Sequence, residues 1–62
     1  MQYNIKQLRR EKGMTQVELA EKAQISRVTL VFLEKGDKEA TTKTLASIAK
    51  ALGVPIGSLF SE

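Results

Sequence analysis

Residues 15–36 read TQVELAEKAQISRVTLVFLEKG, and this stretch decides the fold because it encodes two capped helices with almost nothing between them. Thr15 to Glu18 form a capping box, in which the threonine hydroxyl accepts from a backbone N–H and the glutamate reaches back to the helix start. Ser26 suits the cap of the second helix, and Gly36 suits a left-handed residue that ends it. Gln24 and Ile25 leave room only for a tight turn. The stretch therefore predicts a pair of short helices joined by that turn.

The second of these helices has an apolar side where a polar one is expected. If Leu30 and Leu33 face inward, the helical advance of about 100° per residue puts Val28, Val31 and Phe32 together on the opposite side. A small soluble domain seldom exposes such a patch without a role. This surface is the first candidate for function.

Residues typical of helix starts and helix ends also lie on both sides of this pair. Asn4 is predicted to cap a first helix that Gly13 ends, and Thr41 to cap a fourth that Gly53 ends. Pro55 suits the first position of a fifth, single-turn helix. The positions predicted to face the core are Ile5, Leu8, Val17, Leu19, Leu30, Leu33, Leu45, Ile48, Leu52 and Leu59, whereas Lys6, Arg9 and Arg10 are expected to point mostly outward. With no alternating strand pattern or repeat, residues 1–62 predict one all-α domain of five short helices.

Composition excludes several classes of function. The 62 residues contain no cysteine or histidine, which removes disulfides, zinc fingers and imidazole catalysis. Six of the seven carboxylates fall at helix-surface, cap or loop positions, and no glycine-rich phosphate loop is present, so an enzyme is the poorest interpretation and no cofactor or metal is expected. No apolar run reaches the length that spans a bilayer, and a cytoplasmic protein is expected. The net charge of +3 is a mild basic bias that favours a polyanionic partner.

Residues 15–35 form a helix-turn-helix arrangement. The second helix of such a unit fits the major groove of DNA, about 12 Å wide, while the first braces it across the backbone. Helix pairs of this kind are also ordinary packing units, so the geometry alone leaves both interpretations open.

The residues narrow the choice. The segments IKQLRREKGMTQVELAEKAQISRVTLVFLEKG and TLASIAKALGVPIGSLF resemble the XRE family of lambda-repressor and Cro-type helix-turn-helix proteins over nearly the whole chain. The matching features in register are Leu-Arg at 8 and 9, Lys-Gly at 12 and 13, Thr-Gln at 15 and 16, Leu-Ala at 19 and 20, Ile-Ser at 25 and 26, Glu34, Gly36, Thr-Leu at 44 and 45, Ile-Ala-Lys-Ala-Leu-Gly at 48 to 53, and Leu-Phe at 59 and 60. The resemblance implies a lambda-repressor-like bundle that binds double-stranded DNA.

The resemblance also implies roles for individual residues. Gln16 matches a glutamine that binds a phosphate, with assistance to the helix cap as the alternative. Arg27 and Val28 match base-reading positions, and Arg27 suits either a guanine or a phosphate, with a salt bridge to a nearby carboxylate as the less favoured alternative. Thr29 suits either a phosphate or a bond back into its own helix. The full predicted DNA-contacting set is Thr15, Gln16, Ser26, Arg27, Val28, Thr29, Val31, Phe32, Lys35, Lys38 and Lys43, in which the three lysines flank the loop that touches the phosphate backbone.

The apolar patch departs from the family pattern, because polar side chains normally fill Val28, Val31 and Phe32. One hypothesis is that they read thymine through its C5 methyl group. The rival is a protein-interaction module or antitoxin that uses the same patch to bind a protein partner. A third interpretation is that the side chains pack along the edge of the helix.

A second apolar surface is predicted near the carboxyl end. Val54, Pro55, Ile56 and Phe60 lie where this family often dimerises. A homodimer would place two recognition helices in successive major grooves, about 34 Å apart on a palindromic operator. The sequence therefore predicts a homodimeric, repressor-type regulator of transcription.

Overall fold

The computed structural model describes residues 3–60, and they form an all-α domain. Its helices are α1 (Ile5–Glu11), α2 (Gln16–Ala23), α3 (Arg27–Lys35) and α4 (Thr42–Leu52), followed by a 3₁₀ turn at Ile56–Leu59. The fold class is the predicted one. The helix count differs slightly, because the fifth element is a 3₁₀ turn. Within residues 3–60 the backbone pairs in β fashion only at an isolated antiparallel bridge between Tyr3 and Phe60.

The helix boundaries are set by local chemistry. The capping box forms as predicted, since the Glu18 N–H donates to the Thr15 hydroxyl at 3.1 Å and the Thr15 N–H donates to the Glu18 carboxylate at 2.9 Å. Ser26 caps α3 and Thr41 caps α4 in the same way. Asn4 occupies the predicted N-cap position of α1, but its side chain makes no capping bond, and its backbone N–H donates to the carbonyl of Leu59 at 2.6 Å.

The carboxyl-terminal element is tighter than an α-helix. Pro55 has an extended ψ of 147° and precedes the turn, so its predicted place as the first helical residue was wrong. The turn is closed by short-range bonds from the Ser58 N–H to the Pro55 carbonyl and from the Phe60 N–H to the Gly57 carbonyl. Such i to i+3 bonds are favoured where an element is too short to complete an α-helical turn.

The core is assembled from every helix and the 3₁₀ turn. The buried apolar side chains are Tyr3, Ile5, Leu19, Ala20, Ala23, Leu30, Leu33, Leu45, Ile48, Ala49, Leu52 and Leu59, and Leu8 packs against them partly buried. Val17 does not join them: it is 49% exposed, contrary to prediction. Two residues before Leu19, it lies about 200° around α2 from a fully buried position, so it must face outward.

The connection between α2 and α3 contains one strained residue. Gln24 has a φ of 59° and is the only non-glycine residue with positive φ in the described chain. That left-handed conformation stops α2 after Ala23 and lets the chain reverse into α3 within three residues.

None of the helices within residues 3–60 is long and apolar enough to cross a membrane.

Candidate nucleic-acid interface

α3 presents an exposed apolar ridge, formed by Val28 and Phe32. Leu30 and Leu33 are fully buried and fix the rotation of the helix, which leaves Val28 64% and Phe32 43% exposed. Val31 is half-buried and lies on one flank of this ridge rather than at its crest. The three predicted patch residues are therefore not equivalent, because only two of them project freely from the surface.

The first turn of α3 is polar and locally fixed. The Ser26 hydroxyl accepts from the Thr29 N–H at 3.0 Å and donates to the Thr29 hydroxyl at 2.8 Å. Thr29 thus bonds back into its own helix start, one of the two alternatives for this residue. Arg27 is exposed beside Val28, at the same end of the helix.

A buried ion pair joins α1 to α3. The Arg9 guanidinium donates to the Glu34 carboxylate through Nε at 2.7 Å and through Nη2 at 3.3 Å, and its Nη1 donates to the carbonyl of Met14 at 2.9 Å. The Arg9 and Glu34 side chains are 10% and 3% exposed. The predictions that Arg9 points outward and that Glu34 is a surface carboxylate were therefore wrong. Burial is tolerated because each charge neutralises the other through two hydrogen bonds.

Gln16 is attached to this pair. Its carboxamide Nε2 donates to Glu34 Oε1 at 3.1 Å. Because an ionised carboxylate only accepts hydrogen bonds, the amide nitrogen of Gln16, and not the amide oxygen, must face Glu34. A carboxamide nitrogen carries two hydrogens, and only one of them is used in this contact. Gln16 is thus held in one orientation at the amino end of α2, next to α3.

Shallow depressions lie on both flanks of the α3 ridge. The depression on the α1 and α2 side is about 310 Å³ and is lined by Lys6, Gln16, Val31, Glu34 and Lys35. The opposite one is about 200 Å³, and among its lining residues are Thr29, Lys38, Glu39, Thr41 and Thr44. The apolar crest therefore runs between two depressions that each contain lysine and hydrogen-bonding side chains.

The predicted lysines are distributed unequally over this surface. Lys35 belongs to the first depression and Lys38 to the second, whereas Lys43 is exposed on the first turn of α4 and lines neither. Lys6 also lines the first depression, although the sequence predicted only an outward-pointing charge at this position. Its spacing from Lys35 gave no signal, because only the packing of α1 against α3 brings the two residues to one depression.

The capping box affects the titration of Glu18 at the edge of this surface. The backbone N–H of Thr15, followed by the Thr15 side chain, hydrogen-bonds to the ionised carboxylate and lowers the pKa of Glu18 below its ordinary value of 4.5. Both residues are exposed, and the backbone N–H and hydroxyl of Thr15 are both engaged in the capping box beside Gln16.

The predicted dimer residues lie elsewhere, after the end of α4. Val54 and Ile56 are half-buried and pack against the core, whereas Pro55 is exposed and Phe60 is 42% exposed. The Phe60 ring also packs within the chain, in a T-shaped contact with Tyr3 at a centroid distance of 6.0 Å. The described residues contain no group of carboxylates arranged to hold a metal ion.

Comparison with known proteins agrees with this geometry. A sequence model of the helix-turn-helix family matches residues 5–59. The immunity repressor protein of Bacillus phage phi105 is 40% identical over 58 residues, which cover 94% of this chain and 40% of that protein. The chain thus spans well under half the length of that repressor.

Solved structures show the same likeness. The N-terminal DNA binding domain of SinR from Bacillus subtilis superposes with a TM-score of 0.86 at 33% identity, over 95% of this chain and 87% of that one. A mutant of the controller protein C.Esp1396I, bound to its highest affinity operator site OM, gives a TM-score of 0.77 at 41% identity, over 82% of this chain and 67% of that one. Both likenesses extend over most of the helical domain.

Proposed function

Since the chain belongs to the XRE-type helix-turn-helix family of DNA-binding transcriptional regulators, we propose that it is a repressor-type regulator that binds a palindromic operator as a homodimer. In this proposal α3 enters the major groove and α2 braces it across the phosphate backbone. The solved relative bound to its operator supports the DNA partner by analogy.

One observation carries the proposal: the α3 ridge lies between two depressions with lysine and polar side chains. A helix is about 10 to 12 Å across with its side chains, close to the roughly 12 Å width of the major groove. A helix lying in that groove has a phosphate backbone on each side of it. An apolar crest flanked on each side by lysine and hydrogen-bonding side chains therefore matches the chemistry of the groove, whose floor carries bases and whose walls carry phosphates.

The crest suits thymine. Val28 and Phe32 have no hydrogen-bonding side-chain atoms, so the base feature that they can recognise in the major groove is the C5 methyl group. Arg27, exposed beside them, is suited to guanine or to a phosphate at the edge of the same groove. We infer an operator half-site in which A·T pairs face Val28 and Phe32.

Dimerisation is proposed through the surface after α4. Pro55 and the free part of the Phe60 ring are exposed there, next to the half-buried Val54 and Ile56. In this proposal a second copy of the chain covers this apolar surface and holds the two α3 helices at the spacing that successive major grooves require, about 34 Å or one helical turn of DNA. Sedimentation of the free and DNA-bound protein tests this stoichiometry.

The sharpest test of the DNA function uses two exposed valines. Val28 and Val17 each occupy the second position of a helix and are 64% and 49% exposed, but only Val28 lies on the ridge. After fragments are selected from random DNA, V28A is expected to cost about 1 kcal/mol on the selected site and Phe32→Ala about 1 to 3 kcal/mol, with little effect on random DNA. V17A serves as the control and should leave this discrimination intact. Equal losses on both kinds of DNA would contradict base reading.

The exposed ridge also favours a second candidate, a protein-interaction module or antitoxin that buries Val28 and Phe32 against a protein partner. The two functions differ in how the binding affinity should respond to salt, and only DNA binding predicts a steep dependence. DNA binding that involves the lysines should weaken steeply as salt increases, because each neutralised phosphate releases counterions. If no fragment is bound at low salt, the protein-partner function is favoured instead.

A further inference from the structure

The depression between α1, α2 and α3 is lined by a lysine to which the family pattern gives no role in DNA binding. Lys6, in the first turn of α1, lines it together with Gln16 and Lys35, which come from the other two helices. Three separate helices thus contribute to one surface feature. Both lysines are exposed, and Val31 forms part of the wall nearest the α3 ridge.

The charge of this depression is positive even though a glutamate lines it. Glu34 is 3% exposed and is neutralised by the bidentate Arg9, so its charge is already compensated within the protein. Lys6 and Lys35 are then the exposed charges that remain around the depression. Their attraction for an anion is therefore not cancelled by the carboxylate beside them.

Gln16 adds a directed hydrogen-bond donor. Because Glu34 fixes the carboxamide with its nitrogen toward the ion pair, the second hydrogen on Nε2 is also held in a defined direction. The site offers two lysine charges and a single amide donor, and this combination matches a phosphodiester oxygen. The same lysines could bind a protein carboxylate. If α3 lies in the major groove, however, the anion beside its flank is a phosphate of the DNA backbone.

We propose that Lys6, acting with Lys35 and Gln16, binds a phosphate of the DNA backbone in this depression. The inference rests on the proposed function, and it adds α1 to the DNA-contacting surface. It assigns the phosphate to the strand on the α1 side of the ridge, opposite the strand that faces Lys38 and Thr29. In this arrangement Arg9 and Glu34 are positioning residues, because they hold Gln16 without touching the DNA.

The test compares Lys6→Ala with Lys22→Ala. Lys22 is also exposed and lines a different depression, with Lys50, at the carboxyl ends of α2 and α4. Affinity for the selected operator fragment is measured between 50 and 200 mM salt. Loss of one phosphate contact reduces the slope of log affinity against log salt by about 0.9, so Lys6→Ala should lose about 3.5-fold less affinity over this range than the wild type. It should also weaken binding to selected and random DNA by about the same factor.

The control separates a specific contact from general charge. Lys22→Ala is expected to keep the wild-type slope, and thermal unfolding checks that both variants fold. An unchanged slope for Lys6→Ala, or an equal reduction for both variants, would overturn the role of Lys6 while leaving the proposed function in place. If the wild type binds no fragment in a salt-dependent way, the proposed function itself fails, and the role of Lys6 fails with it.

Discussion

Replacing Glu34 with glutamine should reveal how strongly the buried ion pair supports the domain. The substitution keeps the shape of the side chain but leaves the Arg9 charge buried, with an amide nitrogen facing one of its donors or Gln16. Breaking a buried pair from one side costs about 3 to 5 kcal/mol. We expect about 3 kcal/mol, the lower end, because Arg9 is 10% exposed and keeps its bond to the Met14 carbonyl.

That cost is large for a domain of this size. A chain of 62 residues typically has a free energy of unfolding of roughly 3 to 9 kcal/mol, so E34Q would remove a third or more of it. The expected fall in Tm, followed by circular dichroism, is about 12 to 24 °C. E11Q is the matched control, since the Glu11 carboxylate accepts an exposed bond from Gln7 within α1, and its effect should stay within about 0.5 kcal/mol.

A double-mutant cycle decides whether the effect arises from the pair. Arg9→Met removes the charge that E34Q leaves unpaired, so the double variant should be destabilised by at least about 1 kcal/mol less than the sum of the two single changes. Strict additivity, or a cost for E34Q as small as that of E11Q, would refute the reasoning.

Two further predictions concern the helix ends of the helix-turn-helix unit. Because the capping box lowers the pKa of Glu18, the unfolded chain binds the proton more tightly than the folded chain does. The stabilisation of the fold by the ionised Glu18 carboxylate is therefore present above pH 4.5 and is lost as the pH falls through the folded-state pKa. Glu18→Gln should lack this component, and equal acid losses of Tm in both proteins would contradict it. Gln24→Gly should raise the free energy of unfolding by about 0.5 to 1 kcal/mol in urea titrations, because φ at this residue is 59°. A loss of stability would show that contacts of the glutamine side chain outweigh the strain.

Most predictions from local chemistry were accurate, although the Asn4 side chain makes no capping bond and Pro55 precedes its turn. The Thr15 capping box, the Ser26 and Thr41 caps and the left-handed Gly36 and Gly53 all depend on residues within a few positions of each other. These interactions involve only residues within about one helical turn, so the sequence pattern predicted them without knowledge of the tertiary packing. The helix-turn-helix unit follows from these boundaries.

Predictions about which side chains are buried were less uniform. Leu19, Leu30 and Leu33 are buried as expected, but Val17 is exposed and Arg9 is buried. Hydropathy ranks the valine above the arginine in apolar character, yet burial depends on which side of each helix meets its neighbours. An arginine whose charge is paired and hydrogen-bonded is acceptable in a core, whereas a valine on the wrong side of α2 has no place there.

By itself, the sequence determined the all-α class and the boundaries of α3, because caps, glycine stops and helical spacing act over short distances. Its motifs in register also indicated the helix-turn-helix family. Only the tertiary structure decided the composition of the candidate interface. Arg9 meets Glu34 across 25 positions, and Lys6 reaches the same depression as Gln16 and Lys35 only because α1 packs beside α3. Contacts of that range are set by how whole helices bury their apolar sides, and no local pattern of residues encodes them.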